Sequence, residues 1–215
     1  MSETVRVAVD AMGGDNAPGE IVKGAVQAVQ AEKDIKVFLV GRQDAVNAEL
    51  AKYTYDKEKI EVVHAEEVIE MAEPPVNAIR KKKQSSLVIG MNMIKHQEAD
   101  AIVTAGSTGA TLVGGQVLVG RIKGIERPPL APLVPTEKGR FTLLIDCGAN
   151  VDARPSHLVQ FAQIGYYLYG EHCRNQESES GDPEYRSRRG KGQSAGKGDV
   201  SIAERMSWYQ FYRKY

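Results

Sequence analysis

Cysteine is scarce in this chain, with only Cys147 and Cys173 in 215 residues. The pair makes neither a metal-ligating spacing nor a disulfide framework, so free thiols in a reducing cytoplasm are the expectation. Net charge is missing as well. The 28 basic side chains are matched by 28 acidic ones, which removes any whole-protein electrostatic argument for a nucleic-acid or anionic-membrane partner. Such a contact would have to be local. No stretch reaches the roughly 18 uninterrupted apolar residues of a membrane span, and the opening MSETVRVAVD lacks the apolar core of a signal peptide. A cytoplasmic protein is expected, with peripheral membrane contact left open. The four histidines, His64, His96, His157 and His172, share no metal spacing.

What the chain does contain is alternation. VRVAVDA (5–11), IKVFLVG (35–41), IEVVHAE (60–66), AIVTAG (101–106) and FTLLIDCG (141–148) are strand-length, rich in Val and Ile, and apolar on both faces. Between them GEIVKGAVQAVQAEK, QDAVNAELAKY, SSLVIGMNMIKHQEAD and STGATLVGGQVLVGRI carry apolar residues at helical spacing. Strand followed by helix, repeated, predicts an α/β fold with a parallel sheet covered by helices on both faces. At 215 residues one large domain or two small ones can be built. Ligands in such folds bind beyond the carboxyl ends of the strands, and three of those loops are unusual.

After the first strand comes DAMGGDNAPGE. Gly13 and Gly14 let the backbone approach a ligand, while Asp10, Asp15 and Asn16 supply two carboxylates and an amide. Its other reading is a tight turn whose Asp and Asn cap the next helix. The G-x-G-x-x-G spacing of a dinucleotide site is absent. In TAGSTGAT a strand ends at Gly106 and a helix opens at Ser107 and Thr108, with Gly109 behind them. Helix-start amides and two hydroxyls suit a phosphate, or else form an ordinary Ser or Thr cap. No Walker-type lysine follows, which argues against a nucleotide triphosphatase. In LLIDCGANVDARP, Asp146, Asn150 and Asp152 follow a strand end and either orient a substrate or cap a helix starting near Pro155. Cys147 among them shows no activating neighbour and reads as a buried small residue. The basic run Arg80, Lys81, Lys82 and Lys83 is either a solvated face or a docking patch for an acidic partner. RPPLAPLVPT (127–136) is a proline-stiffened connection that cannot be a central strand.

Taken together, VAVDAMGGDNAPGEIVKGA, EPPVNAIRKKKQSS, ADAIVTAGSTGAT, RPPLAP and LLIDCGANVDARP resemble, in order and over residues 4 to about 171, the amino-terminal half of the bacterial phosphate acyltransferases of phospholipid synthesis, the PlsX family. The resemblance implies a truncated form of the α/β fold shared with isocitrate and isopropylmalate dehydrogenases and phosphotransacetylases. It implies transfer of a fatty acyl group from acyl carrier protein to inorganic phosphate, giving an acyl phosphate for a downstream membrane glycerol-phosphate acyltransferase. A homodimer and the absence of any cofactor or metal are also implied. Phosphate is then the nucleophile, so no serine or cysteine triad is needed, and the site has only to position phosphate beside a thioester and stabilise the oxyanion. Under this reading phosphate sits on Gly106, Ser107, Thr108 and Gly109, beside Gly13 and Gly14. Asp10, Asp15, Asn16, Asp146 and Asn150 position phosphate or the leaving thiol, Asn150 is the neutral donor to the thioester oxygen, and Arg80, Lys81, Lys82 and Lys83 meet the acidic carrier. Two other readings stand beside it. One is a short-chain phosphate acyltransferase using coenzyme A thioesters, and the other is a binding module whose basic tail takes nucleic acid, for which charge balance gives no support.

The chain divides by composition into 1–173, the amino-terminal part of the α/β domain, and a tail, 174–215. That tail holds one valine, one isoleucine and no leucine against six serines, five glycines and nine basic residues, so by composition it is disordered. RNQESESGDPEYRSRRGKGQ has a synonymous codon choice that, read one base forward, encodes GIRNPRVGILNIGADEEKG, which resembles the continuation of the family. A one-base shift near codons 172–174 is therefore inferred, with the expectation that the chain as written is poorly soluble and inactive.

Overall fold

A computed structural model describes residues 4–137, 139 and 141–174. The tail from 175 onward, and with it the out-of-frame reading, lies outside the described residues. The chain forms two compact units, Met1–Arg121 and a second beginning at Ile122, so the stretch 1–173 is divided at that point.

The first unit is the predicted alternation. Strands β1 (Val5–Asp10), β2 (Ile35–Gly41), β3 (Ile60–His64) and β4 (Ala101–Val103) form a wholly parallel sheet in the order β3-β2-β1-β4. Helices α1 (Gly19–Ala31) and α2 (Gln43–Leu50) follow β1 and β2, while α3 (Pro75–Lys81) and α4 (Ser86–Lys95) lie between β3 and β4. After β4, α5 (Thr108–Gly114) continues as a π-helical turn, Gly115–Val119, that stops at Gly120 with φ +100°. The two-residue period of the strands sends alternate side chains to opposite faces. Val37 and Leu39 pack with Val22, Val26 and Val29 of α1 and Val46 of α2, whereas Ala8, Phe38 and Val40 pack with Met93 of α4. Burial on both faces explains why these strands read as continuous apolar runs.

The chain winds outward through β2 and β3 and then returns to place β4 on the far side of β1. Adjacent strands β1 and β4 therefore mark the reversal of strand order, where open α/β sheets place their ligands. Close approach of α4 to the sheet depends on Gly90, where a methyl group would fall 2.8 Å from Ile102 Cδ1. Edge strand β4 leaves Val103 55% exposed. Helix α3 was not foreseen as a distinct element, because its sequence PVNAIRK is short and its buried residues, Ala78 and Ile79, give little periodicity.

In the second unit β5 (Leu133–Pro135) and β6 (Phe141–Leu143) pair antiparallel, and α6 (Pro155–Arg174) follows. This corrects the expectation that 141–148 adds a fifth parallel strand. Residues 136–140 alone connect the pair, and so short a link permits a hairpin and not a crossover. The segment 127–136, expected as a connection, thus contributes an edge strand, and Pro135 is tolerated because a two-stranded ribbon has only edges.

Candidate functional site

The centre of the first unit's strand-end cluster is Asp10. Its carboxylate is 4% exposed at the last position of β1, where an unpaired charge would be costly, and three donors satisfy it. Ser86 Oγ donates to Oδ1 at 2.6 Å, the Met12 amide donates to the same oxygen at 3.2 Å, and Thr104 Oγ1 donates to Oδ2 at 2.8 Å. Thr104 Oγ1 in turn accepts from the Gly106 amide at 3.0 Å. One carboxylate thereby fastens the end of β1 to the start of α4 and to the loop after β4. With its oxygens so engaged, Asp10 holds these loops together. Ser86 and Thr104 are the side chains of this cluster that sequence reasoning missed. Both stood in noted segments, but nothing in their local pattern announces a partner 76 or 94 residues away.

The glycines of the first loop are required by space. A methyl on Gly13 would meet Asp10 Oδ2 at 2.6 Å, Thr104 Oγ1 at 2.8 Å and the Gly106 amide at 2.9 Å. Gly14, at φ +101°, abuts Ala105. The loops after β1 and β4 therefore touch backbone to backbone. Asp15 and Asn16 are exposed. The capping alternative fails for them, because the N-cap of α1 is Pro18 and no side chain caps the helix. Ser107 is different. It is buried, and its hydroxyl accepts from the Ala110 amide at 3.3 Å as the cap of α5. Thr108, at the first turn of that helix, is the exposed hydroxyl. Gly109 faces Pro75 of α3, whose Cγ would lie 2.7 Å from an added methyl.

The basic run splits into two kinds of side chain. Lys82 is half-buried, donates to the Val68 carbonyl at 2.6 Å and pairs with Glu73. The hydrogen bond from Lys82, helped by the Glu70 amide, holds the Glu73 carboxyl below the usual carboxylate range. Lys82 is thus committed to the chain turn ahead of α4, while Arg80, Lys81 and Lys83 are exposed.

In the second unit Asp146 organises the loop after β6. Oδ1 accepts from the Leu130 amide at 2.7 Å and the Ala149 amide at 3.4 Å, and Oδ2 accepts from the Asn150 amide at 2.8 Å and Asn150 Nδ2 at 3.2 Å. Burial pushes this carboxyl up, but the bonds from Leu130, Asn150 and Ala149 together outweigh burial and leave it below its ordinary value. Asn150 Nδ2 also donates to the Pro128 carbonyl at 3.2 Å, so both amide hydrogens are engaged within the loop. Cys147, expected to be buried, is exposed. Its neighbour Asp146 turns inward to the amides and directs the adjacent side chain outward. His157 is buried at the start of α6, accepts from the Arg154 amide through Nδ1 at 3.2 Å and faces Glu126 through Nε2 at 3.1 Å. Among the described residues no cluster of His, Cys, Asp or Glu is placed to hold a metal.

Comparison with known proteins follows the same outline. A family model described as "Fatty acid synthesis protein" matches residues 5–184. A phosphate acyltransferase of Clostridium beijerinckii is 53% identical over 165 residues, covering 77% of this chain and 49% of that relative. One from Syntrophomonas wolfei is 50% identical over 161 residues, covering 75% and 50%. The chain spans about half the length of these curated relatives. Among solved structures, a phosphotransacetylase from Streptococcus pyogenes superposes with a TM-score of 0.66 at 16% identity, covering 93% of this chain and 64% of that one. The EutD phosphotransacetylase from Staphylococcus aureus gives 0.57 at 17% identity, covering 98% and 65%. At such identities the likeness establishes the phosphotransacetylase-like α/β fold. Matched by the family model over most of its length and by relatives at half identity, the chain belongs to the fatty acid synthesis protein family, whose curated members here are phosphate acyltransferases.

Proposed function

We propose that this chain is the amino-terminal half of an enzyme that transfers a fatty acyl group from acyl carrier protein to inorganic phosphate. The observation that carries the reading is the glycine-enforced contact of the loops after β1 and β4 at the reversal of strand order, held by Asp10 through Thr104 and Ser86. On those two loops Asp15, Asn16 and Thr108 are exposed. Phosphate bound there attacks the thioester carbonyl carbon through one oxygen. Negative charge moves to the carbonyl oxygen, the tetrahedral adduct collapses with cleavage of the C–S bond, and the departing thiolate takes up the proton that the hydrogen phosphate gives up, leaving acyl phosphate and free carrier thiol. Binding two reactants in register and placing donors where charge develops supply the rate. Thr108 and the helix-start amides hold phosphate, with Asp15 and Asn16 orienting it through its hydroxyl. Ser107 contributes backbone, since its side chain caps α5. Asp146 and Asn150 shape the loop of the second unit, where Asn150 is the neutral amide expected to serve as a donor once it gives up a bond to Pro128 or to Asp146.

Exposed Arg80, Lys81 and Lys83 suit an acidic carrier protein, a contact that steers association more than it sets affinity. The product feeds a membrane acyltransferase, and the intact enzyme works as a cytoplasmic homodimer with peripheral access to the bilayer. Among the described residues no helix is long and apolar enough to cross a membrane. The deciding experiment is to resequence codons 165–180, restore the frame by one base, and assay acyl phosphate from phosphate with either acyl carrier protein thioesters or butyryl-coenzyme A. The restored protein is expected to use the carrier thioester, and the 215-residue chain assayed beside it to make no product. Turnover of the coenzyme A thioester alone, or of neither, would overturn the reading.

A further inference from the structure

A concave apolar surface in the first unit has no part in the phosphate chemistry. Between α3, α4 and α5 lies a groove of about 350 Å³, walled by Val76 and Ile79 of α3, Val88 of α4, and Val113, Val117 and Leu118 of α5 and its π-helical continuation. Val76 and Val117 are 62% and 67% exposed, so two large apolar side chains stand open to solvent on facing helices. Ligand sites in proteins are hollows of this kind, at volumes from roughly 300 Å³ upward.

Resting on the acyl-transfer reading above, we propose that this groove holds the fatty acyl chain of the substrate. Its position is the first reason. Gly109, Val113 and Val117 recur every four residues and so share one helix face, which begins where Gly109 meets Pro75, at the proposed phosphate site. From there the face runs about 12 Å at ~1.5 Å per residue, so a chain whose carbonyl lies beside phosphate is led along the groove. Charge is the second reason. Arg80, Lys83 and the neutral Asn92 complete the lining, and no carboxylate is among the described residues that wall it. The alkyl stems of Arg80 and Lys83 extend the apolar wall while the charges stay in water, facing the acidic carrier that delivers the chain.

The test is displacement of a fluorescent fatty acid from the purified 215-residue chain by octanoate, dodecanoate and hexadecanoate, at concentrations below their micelle points. Affinity should rise with length, at most about fourfold per methylene for full burial, and Val117→Asp should weaken dodecanoate by about tenfold or more. Val117 is exposed, so this variant should keep the wild-type circular dichroism, and Val113→Trp, which fills the groove, should repeat the loss. Affinity independent of chain length, or unchanged in both variants, overturns the proposal. So does a dimer that Val117→Asp dissociates while fatty-acid affinity holds, since the face then belongs to a second copy. Failure of the frame-restored protein to make acyl phosphate would count against the reaction and leave this binding result standing.

Discussion

Substituting Gly13 by alanine tests whether the candidate site is built on backbone contact. Ordinary contact begins at 3.4 Å, and the added methyl would lie 2.6 Å from Asp10 Oδ2, so that oxygen must retreat by about 0.8 Å. It cannot do so alone. Asp10 is bonded to Thr104 and Ser86, and Thr104 to the Gly106 amide, while Thr104 Oγ1 and the Gly106 amide are themselves crowded at 2.8 and 2.9 Å. Overpacking costs about 1–3 kcal/mol, and weakening a hydrogen bond to a buried charge adds about 1.5–3 kcal/mol. Against the ~5–15 kcal/mol of a typical domain, a loss of roughly 2.5–6 kcal/mol is large. With a urea slope of about 1–3 kcal/mol per molar, the midpoint should fall by about 1 M or more. Gly24 in α1 provides the contrast, since nothing lies within 4 Å of a methyl there. Gly24→Ala should stabilise the chain by about 0.5–1 kcal/mol through helix propensity alone. Equal midpoints for the two variants would refute the argument that the loops after β1 and β4 are in forced contact.

Two further outcomes are expected. Asp146 titrates below its ordinary value in the folded chain, so its contribution is present above the unfolded carboxyl range and is lost as pH falls through the folded value. Urea midpoints measured from neutral pH downward should therefore decline less steeply in Asp146→Asn than in wild type, and parallel profiles would show that the loop does not depend on this charge. Lys82→Ala should lower stability by about 1 kcal/mol through loss of its bonds to Val68 and Glu73, whereas exposed Lys83→Ala should stay within about 0.5 kcal/mol of wild type. A reversed order would return Lys82 to the surface patch.

Much of the fold was legible because it is written in local periodicity. Strands buried on both faces must be apolar throughout, and the helices that cover them must be apolar at a period near 3.6, so β1 to β4, α1, α2 and α4 follow from the residues. The chemistry-bearing loops were legible for the same reason, since strand ends in a parallel sheet are predictable once the strands are. Where the pattern is short or proline-rich, as in PPVNAIRK and LAPLVPT, local reasoning missed α3 and the antiparallel ribbon.

Pairing over distance was decided only by the tertiary structure. Sequence alone determined an α/β chain with three polar strand-end loops and the motifs of its family. The sheet order, placing β1 beside β4, turned two of those loops into one cluster. Burial of Asp10 against Thr104 and Ser86 made it a scaffold for the loop, capping assigned Ser107 to its helix and left Thr108 outward, and the turn before α4 claimed Lys82 from a run of four similar cations. Each outcome depends on which groups separated by tens of residues arrive at hydrogen-bonding distance, and a buried charge or hydroxyl takes the partner that folding brings.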